Sequence, residues 1–594
     1  MATATFDSVL PSLVPFSFPT LIQRWLSHLL GISEMERVYA SLRSMDSGSP
    51  IADRLLDFLQ VTYTASESDL LHVPRTGAAI VTVNHPFGIL EGAVLASMLR
   101  RIRPDVRFLA NGILTLIPEV RDMVIPVDPI SGRGATSSNS RGLRRSLQHL
   151  KRGGMLVVFP AGEVSHFRWW DLTVADPEWN PAVARIATIA GAQVVPGYVN
   201  GANGLAFQLA GLVHPRFRTM LLGRELLNKR GQDVEVRVGA SISPERLAAI
   251  DDPREQAEYL RWRTYLLGHR ESFKPRTALR PVDAGATGEP VVEPADPMAV
   301  ASEIASLPVR CRLNGSGDLE VYLAGASEIP TVLHELGRLR EITFRAAGEG
   351  TGESTDRDAF DEQYLHLFVW NARKQELVGA YRIAPTDVVR DLYTATLFRY
   401  DKEFVRKLGP ALELGRSFVR QEYQRNFIPL LLLWKGIGTF LARNPRYKTL
   451  FGPVSISNQY EAVSRELMVK FLERYASLRE WAGLVRNRKA FRGGLLKGAR
   501  RPVFRRTTFD VEELSELVGD VEGKRTGVPV LLRQYLKLGG KLLGFNVDPK
   551  FANALDGLIL VDLTQTEPKL LERYLGRAEA HTFLEFQKGQ NGTH

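Results

Sequence analysis

Between residues 78 and 240, short apolar runs alternate with longer amphipathic ones, which restricts this part of the chain to a layered α/β architecture. Segments 78–83, 155–159, 194–199 and 234–238 read as buried strands, and 123–127 as a shorter one. Segments 90–101, 140–151 and 181–190 read as helices between them; Gly153-Gly154 ends the second, and Asn180 before Pro181 starts the third. A helix beginning near Ser243-Pro244 closes this half around Arg270. In such a layered sheet, reactive side chains are expected on the loops that leave strand ends.

Residues 273–300 are rich in Pro, Gly and Ala and follow neither a helical nor a strand period, so they read as a linker. Beyond them, 321–323, 365–370, 377–383, 411–414, 451–455 and 558–563 read as strands and 329–340 as a helix, a second α/β domain. The expected organisation is amphipathic helices over 1–60, a first domain over 61–272, the linker 273–300 and a second domain over 301–594. A chain of 594 residues is far too long for one core.

A single cysteine, Cys311, rules out a disulfide framework and a thiolate metal cluster, and fits a reducing cytoplasm. The start, MATATFDSVLPSL, lacks the basic opening of a secretory signal. The longest apolar run, 427–434, falls well short of the ~18–20 residues a spanning helix needs, so a soluble or peripheral protein is expected. The net charge of +10 calls for an anionic partner. Segment 486–506 holds nine Lys/Arg and no acid, with apolar residues interleaved, and suits a membrane surface, a nucleic-acid backbone or a plain solvated basic loop; LIQRWLSHLL (21–30) is amphipathic and suits a helix packed on the next domain or one lying in the membrane interface. No zinc-ligand spacing or RNA-binding aromatic signature accompanies them, so nucleic acid is not an expected partner and no metal site is expected.

Two constellations carry chemistry. In NHPFGILEG, Asn84 and His85 leave a strand, Gly88 permits a tight turn, and Glu91 falls in the first turn of the next helix, within reach of the imidazole. This block, NGILTLIPEVRDMVIPVD (111–128), FPAGEVS (159–165) and VVPGYV (194–199) together resemble, in order, the four motifs of the glycerolipid acyltransferases of the lysophosphatidate type. That resemblance implies an αβ-sandwich with His85 as base, Glu91 as its partner, and Asn84, Gly88, Phe159, Pro160, Gly162, Glu163 and Ser165 around the acceptor. Five residues separate His85 from Glu91, where the family has four and an Asp. In the third block Ala161, Glu163 and Val164 replace the family's Glu, Thr and Arg. Loss of that Arg points away from a glycerol-phosphate acceptor, and Glu163 is expected to place a negative charge there.

In the second half, GRLREITFRAAGEGTGES, HLFVWN, LVGAYRI, ELGRSFVRQEY, LLLWKGIG and FGPVSIS resemble the ornithine-lipid N-acyltransferases, also termed hemolysin-like. The order Arg340, Phe344, Asp356/Asp358/Asp361, Arg382, Glu413, Arg416 is similar to that of acyl-homoserine-lactone synthases, which have an acetyltransferase-like fold. The resemblance implies Glu413 as the base for an amine, with Arg416 catalytic beside it. Arg340, Phe344 and Arg382 would bind substrate, and Arg340 and Arg416 would hold a carboxylate. Gly436 and Gly438, read as a turn before a helix, would receive the acyl-carrier arm. Glu349 and Glu353, in a flexible Gly350/Gly352 loop, are either a second ammonium site or a solvated loop. The whole chain resembles bifunctional bacterial ornithine-lipid synthases. This implies acyl carrier protein or acyl-CoA as donor with no bound cofactor, an amino acid such as ornithine and a lyso-lipid as acceptors, and a place on the inner face of the membrane. The alternative is a lysophospholipid acyltransferase with a regulatory second half.

Overall fold

The structure, a computed structural model, describes residues 32–45, 48–128, 135–169, 172–213, 215–270, 288–494, 510–523 and 526–591. Segment 21–30, residues 495–506 of the basic segment and residues 273–287 of the expected linker lie outside the described residues. The chain divides into two compact units. The first is Met1–Lys274 with Gly498–Thr508 and Glu516–Arg525, and the second is Pro275–Lys497 with Phe509–Ser515 and Thr526–His594.

The first unit contains β1 (Thr62–Thr64), β2 (Ala79–Val83), β3 (Val106–Asn111), β4 (Val124–Val127), β5 (Met155–Val158), β6 (His166–Arg168), β7 (Thr173–Ala175), β8 (Gln193–Val199) and β9 (Asp233–Val238). Seven of them form one sheet in the order β1-β9-β8-β2-β5-β3-β4, parallel except between β8 and β9; β6 and β7 form a separate hairpin. All of β2 and β5 is buried, which is why AIVTV, broken only by Thr82, and MLVV are near-continuous apolar runs rather than alternating ones. Helix Leu90–Arg100 packs its Leu90, Val94, Leu95 and Met98 into the core with β2. Asp520, distant in sequence, belongs to this unit: buried, it accepts the Ala240 N–H at 2.7 Å and the Arg263 guanidinium at 2.9 Å.

The second unit contains β10 (Arg312–Ser316), β11 (Leu319–Gly325), β12 (Leu365–Asn371), β13 (Glu376–Pro385), β14 (Phe398–Tyr400), β15 (Ala411–Val419), β16 (Thr449–Ile456), β17 (Val485–Asn487), β18 (Lys541–Asp548) and β19 (Ala554–Asp562). Eight form a sheet in the order β10-β11-β12-β13-β15-β16-β19-β18. Every pair is antiparallel except β15–β16, which pair in parallel over three positions only, Ala411↔Thr449 to Glu413↔Phe451. The strands then part, so the sheet opens beyond Glu413. Helix Pro330–Ala346 covers the face that carries Phe368 and Ala380, and helix Ile428–Arg443 covers the face that carries Leu367.

Both units are α/β, as expected. Several details differ. Residues 297–300 of the expected linker begin helix Pro297–Ser306, whose start is the Asp296 side chain capping Met298 N (3.1 Å) with Pro297 at the first position. Gly436 and Gly438 do not precede a helix. They lie buried inside Ile428–Arg443, where backbone N–H groups are spent on helical bonds and cannot grip a carrier arm. Their role is close packing: a Cβ on Gly436 would meet Leu367 at 2.8 Å, and one on Gly438 would meet the Tyr574 carbonyl oxygen at 2.3 Å. Gly438→Ala is therefore expected to cost about 1–3 kcal/mol by overpacking. A urea melt checks this, and KM for the acyl donor, measured under folded conditions, should stay unchanged.

Candidate active sites

In the first unit β2 and β5 run side by side in parallel, Thr82 opposite Val158, so their carboxyl ends deliver His85 and Phe159 to the same place. The two rings stack at 4.4 Å with 23° between planes. His85 Nδ1 donates to Glu91 Oε1 at 2.7 Å, and the same oxygen accepts the N–H groups of Phe87 (3.1 Å) and Gly88 (2.8 Å). Gly88 takes φ 97°, the left-handed turn that absorbs the extra residue between base and acid. Glu91 is fully buried, while the imidazole keeps 17% of its side chain exposed. With Nδ1 committed, Nε2 is the nitrogen that can face an acceptor hydroxyl.

Burial alone would lower the His85 pKa, but the charge and hydrogen bond of Glu91, with Asp176 behind, outweigh it and leave it raised. Burial would likewise raise Glu91, and the His85 charge and bond with the Gly88 N–H leave it lowered instead. The pair is an imidazole held in one orientation by an ionised carboxylate, an arrangement that can serve as a base.

The remaining residues of this site sort by contact. Asn84 is buried and clamps β2 to β8, taking Val199 N–H at 2.7 Å and donating to Val199 O at 2.9 Å, so it does not touch an acceptor. Ser165 is also buried, bonded to Asp176 at 2.5 Å, and its N–H donates to His85 O at 2.8 Å. Gly162 turns the loop with φ 70°, its N–H on Phe159 O, and Pro160 O accepts Asn180 N–H. Glu163 is exposed but not alone: Arg218, from helix Pro215–Leu227, donates to it at 3.1 Å. The expected lone negative charge is thus an ion pair.

Asp176 escaped the sequence reading. Its Oδ1 accepts His85 N–H (3.1 Å) and the Ser165 hydroxyl, its Oδ2 accepts Trp179 Nε1 (2.9 Å), and its own N–H donates to Tyr265 Oη (2.7 Å). It fixes the backbone of the base from the side opposite Glu91. Only Trp179 is a sequence neighbour; His85, Ser165 and Tyr265 lie further off along the chain, so local spacing does not mark Asp176.

In the second unit one face of the sheet gathers the expected residues. Arg340 donates to Asp361 at 2.6 Å and lies 3.3 Å from His366; Arg382 lies 2.6 Å from Asp358 and 3.3 Å from Asp361; Arg416 lies 3.3 Å from Asp356 and 3.7 Å from Asp358. Three guanidiniums and three carboxylates balance. Burial raises Asp361 less than Arg340 and Arg382 lower it, so it is held well below the usual carboxylate range. Burial and the Arg340 charge push His366 down to about 4, so it is neutral.

Arg340 is fully buried, Arg382 nearly so, and Phe344 packs edge-on against Phe551 at 5.1 Å. These three, expected to touch substrate, instead form the support beneath the site. Arg416 is the exception. It sits at a β-bulge with φ 46°, stacked over Tyr393 (4.9 Å) and Phe551 (5.1 Å).

Glu413 accepts Thr394 N–H at 3.1 Å and the Thr394 hydroxyl at 3.3 Å, and burial pushes it up to about 7. The same face, across the opening of the sheet, carries Asp556, which accepts the Ser455 hydroxyl at 2.8 Å and is pushed up to about 7 by burial. Burial and Asp556 push Glu349 up to about 8. The Glu349 loop is bonded to Glu341, which accepts Thr351 N–H (3.1 Å), the Thr351 hydroxyl (2.7 Å) and Gly352 N–H (2.8 Å). Glu353 contributes a carbonyl to Arg345 at 2.6 Å.

Among the described residues no group of three or more His, Cys, Asp or Glu is arranged to hold a metal, and no helix is long and apolar enough to cross a membrane.

This geometry agrees with what the chain resembles. Residues 8–273 match the family described as Acyltransferase, and residues 339–434 match that described as Acetyltransferase (GNAT) domain. The chain is an acyltransferase, with one domain of each kind. Among curated proteins it is similar to a glycine N(alpha)-acyltransferase of Bacteroides thetaiotaomicron, 29% identical over 49% of this chain and 92% of that protein. A second glycine N(alpha)-acyltransferase, from Phocaeicola vulgatus, is 35% identical over 28% of this chain and 56% of that protein. An L-ornithine N(alpha)-acyltransferase of Rhodobacter capsulatus is 28% identical over 41% and 90%. Of solved structures, the 1-acyl-sn-glycerophosphate (LPA) acyltransferase PlsC of Thermotoga maritima covers 42% of this chain and 94% of its own, at 17% identity and a TM-score of 0.25.

Two outcomes follow from these sites. With His85 as the base, acyl transfer by the first unit should fall with falling pH through a limb lying above the ordinary histidine value of 6.5. Glu91→Gln should bring that limb down and slow transfer about 10²–10⁴-fold, read from a pH–rate profile. Arg340→Leu should destabilise the second unit by about 3 kcal/mol, because buried Asp361 loses its 2.6 Å partner and keeps only the longer 3.3 Å contact with Arg382; a denaturant melt measures it.

Proposed function

We propose that the chain builds an acyloxyacyl amino-acid lipid in two steps. In the second unit the amine of ornithine, or a similar amino acid, attacks the thioester of a 3-hydroxyacyl donor carried by acyl carrier protein or coenzyme A. The C–N bond forms, the C–S bond breaks, and the leaving thiolate takes up a proton. Glu413, with its carboxyl near neutrality, accepts the ammonium proton, directly or through a water, and its burial behind Thr394 favours the water. Arg416 is the guanidinium placed to meet the amino-acid carboxylate, since Arg340 and Arg382 are enclosed.

In the first unit the new hydroxyl gives its proton to His85 Nε2 and attacks a second thioester; His85 then returns that proton to the thiolate. The observation that carries this reading is that each unit holds its own base: a histidine suited to a hydroxyl in one, a neutral-range carboxyl suited to an ammonium in the other. The named relatives support the N-acylation step. The Glu163–Arg218 pair supports the acceptor, since a zwitterionic head group finds both charges there, without the Arg the family directs at glycerol phosphate. Peripheral attachment to the inner face of the membrane completes the proposal.

Lipid mass spectrometry of a host expressing the full chain tests it. His85→Ala should accumulate the mono-acyl amino lipid, and Glu413→Ala should yield neither product. A His85→Ala host that instead accumulates a lysophospholipid would favour a glycerolipid acyltransferase with a regulatory second half.

A further inference from the structure

Two carboxyls beside the Glu413 site have no cation to answer them. Asp556 is 3% exposed; one of its oxygens accepts the Ser455 hydroxyl at 2.8 Å, and the other has no partner among the described residues. Glu349 is half-buried, and its carboxyl makes neither a hydrogen bond nor an ion pair among the described residues. Register places Asp556. Phe451 lies opposite Glu413, Ser455 points the same way four residues on, and Asp556 lies opposite Ser455. Glu413 and Asp556 thus share a face on either side of the opening. Ser457 places Glu349: its hydroxyl donates to Ala347 O at 2.7 Å, which draws residues 347–349 to the end of β16 and brings Glu349 within the field of Asp556.

The charges around this pair show what it lacks. Its nearest cation is Arg416, itself held by Asp356 and Asp358. Asp548, which accepts the Lys550 N–H at 2.9 Å, adds a third acid to the field of Asp556. Burial and mutual repulsion therefore hold Asp556 up at about 7 and Glu349 at about 8. A cation arriving between them would turn repulsion into pairing and give the idle Asp556 oxygen a donor. These acids are not arranged to hold a metal ion, so the cation that fits is one that donates N–H bonds.

We propose that Asp556 and Glu349 receive the side-chain ammonium of the amino-acid acceptor, so that the second unit selects a diamino acid over one with an uncharged side chain. This rests on the reading of that unit as an amino-acid N-acyltransferase, with the α-amine at Glu413 and the carboxylate at Arg416. Ornithine carries such a side-chain ammonium, and glycine does not. The three contacts then fix which amine of a diamino acid meets the base, because the other is already held.

The purified full-length protein, given a 3-hydroxyacyl thioester and one amino acid at a time, tests this. For the wild type, kcat/KM for ornithine should exceed that for norvaline, which has its chain length without the ammonium, by about 10–100-fold. Nδ-acetylornithine should fall with norvaline, and most of the difference should lie in KM. Asp556→Asn and Glu349→Gln should each shrink the ornithine-to-norvaline ratio about tenfold, whereas Glu353→Gln, on an exposed residue of the same loop, should keep it. Comparing acceptors on the wild type decides the matter even if a variant misfolds. The proposal is overturned if the wild type takes norvaline as readily as ornithine, or if the two variants leave the ratio as it was. It is also overturned if they slow both acceptors equally, as a purely structural pair would. Efficient acylation of uncharged amino acids would sink this subsite and leave the two-step lipid reading standing; acylation of no amino acid would sink both.

Discussion

A carboxylate taken wholly out of water remains an anion only where other donors replace its lost hydration, and Glu91 is such a group. One oxygen accepts the imidazole and two backbone N–H groups, and the first turn of helix Leu90–Arg100 adds its dipole. The local backbone is built around this requirement. Gly88 turns left-handed so that its N–H and that of Phe87 both point inward, and the helix starts where it does so that Glu91 falls beneath the ring. Asp176 meets the same histidine from the other side through its backbone, so the base is held between two carboxylates with different tasks. One fixes the ring, and the other fixes the chain that carries it.

The second unit meets the cost of buried charge differently. Arg340, Arg382 and Arg416 are matched by Asp356, Asp358 and Asp361, and each of the six is tied to a partner of opposite sign within 4 Å. That balance leaves Glu413 as a further carboxyl, bonded to the neutral Thr394 and free to titrate near neutrality. The lattice therefore stiffens the floor of the site without consuming the group suited to move a proton. Parting of β15 from β16 just past Glu413 supplies the opening above it.

How much was legible in the sequence depended on whether function rests on neighbours along the chain. His85 and Glu91 are six residues apart, and the strand-turn-helix pattern around them could be read directly. The apolar runs of β2 and β5 also announced themselves, because strands buried on both faces need no alternation. Asp176 could not be read, since His85, Ser165 and Tyr265 reach it only through folding, and Trp179 three residues on does not by itself mark it. Gly436 and Gly438 misled for a related reason. Two glycines two residues apart fit a phosphate-gripping turn or a tight helix packing equally well, and only Leu367 and Tyr574, far away in sequence, distinguish them. Glu163 was read as a lone charge because Arg218, fifty-five positions on, carries no local mark of its partner. Burial likewise separates Arg416 from Arg340, though both are arginines in the same motif order.

The stacking of Phe159 on His85 has one more consequence. An aromatic face is a partial negative pole, and it favours a cation over a neutral ring lying against it. When His85 takes a proton it becomes such a cation, enclosed between that face and the Glu91 carboxylate. The residue that opens the third sequence block thus helps to set how long the imidazolium persists, and with it how often the proton is still at hand when the thiolate departs.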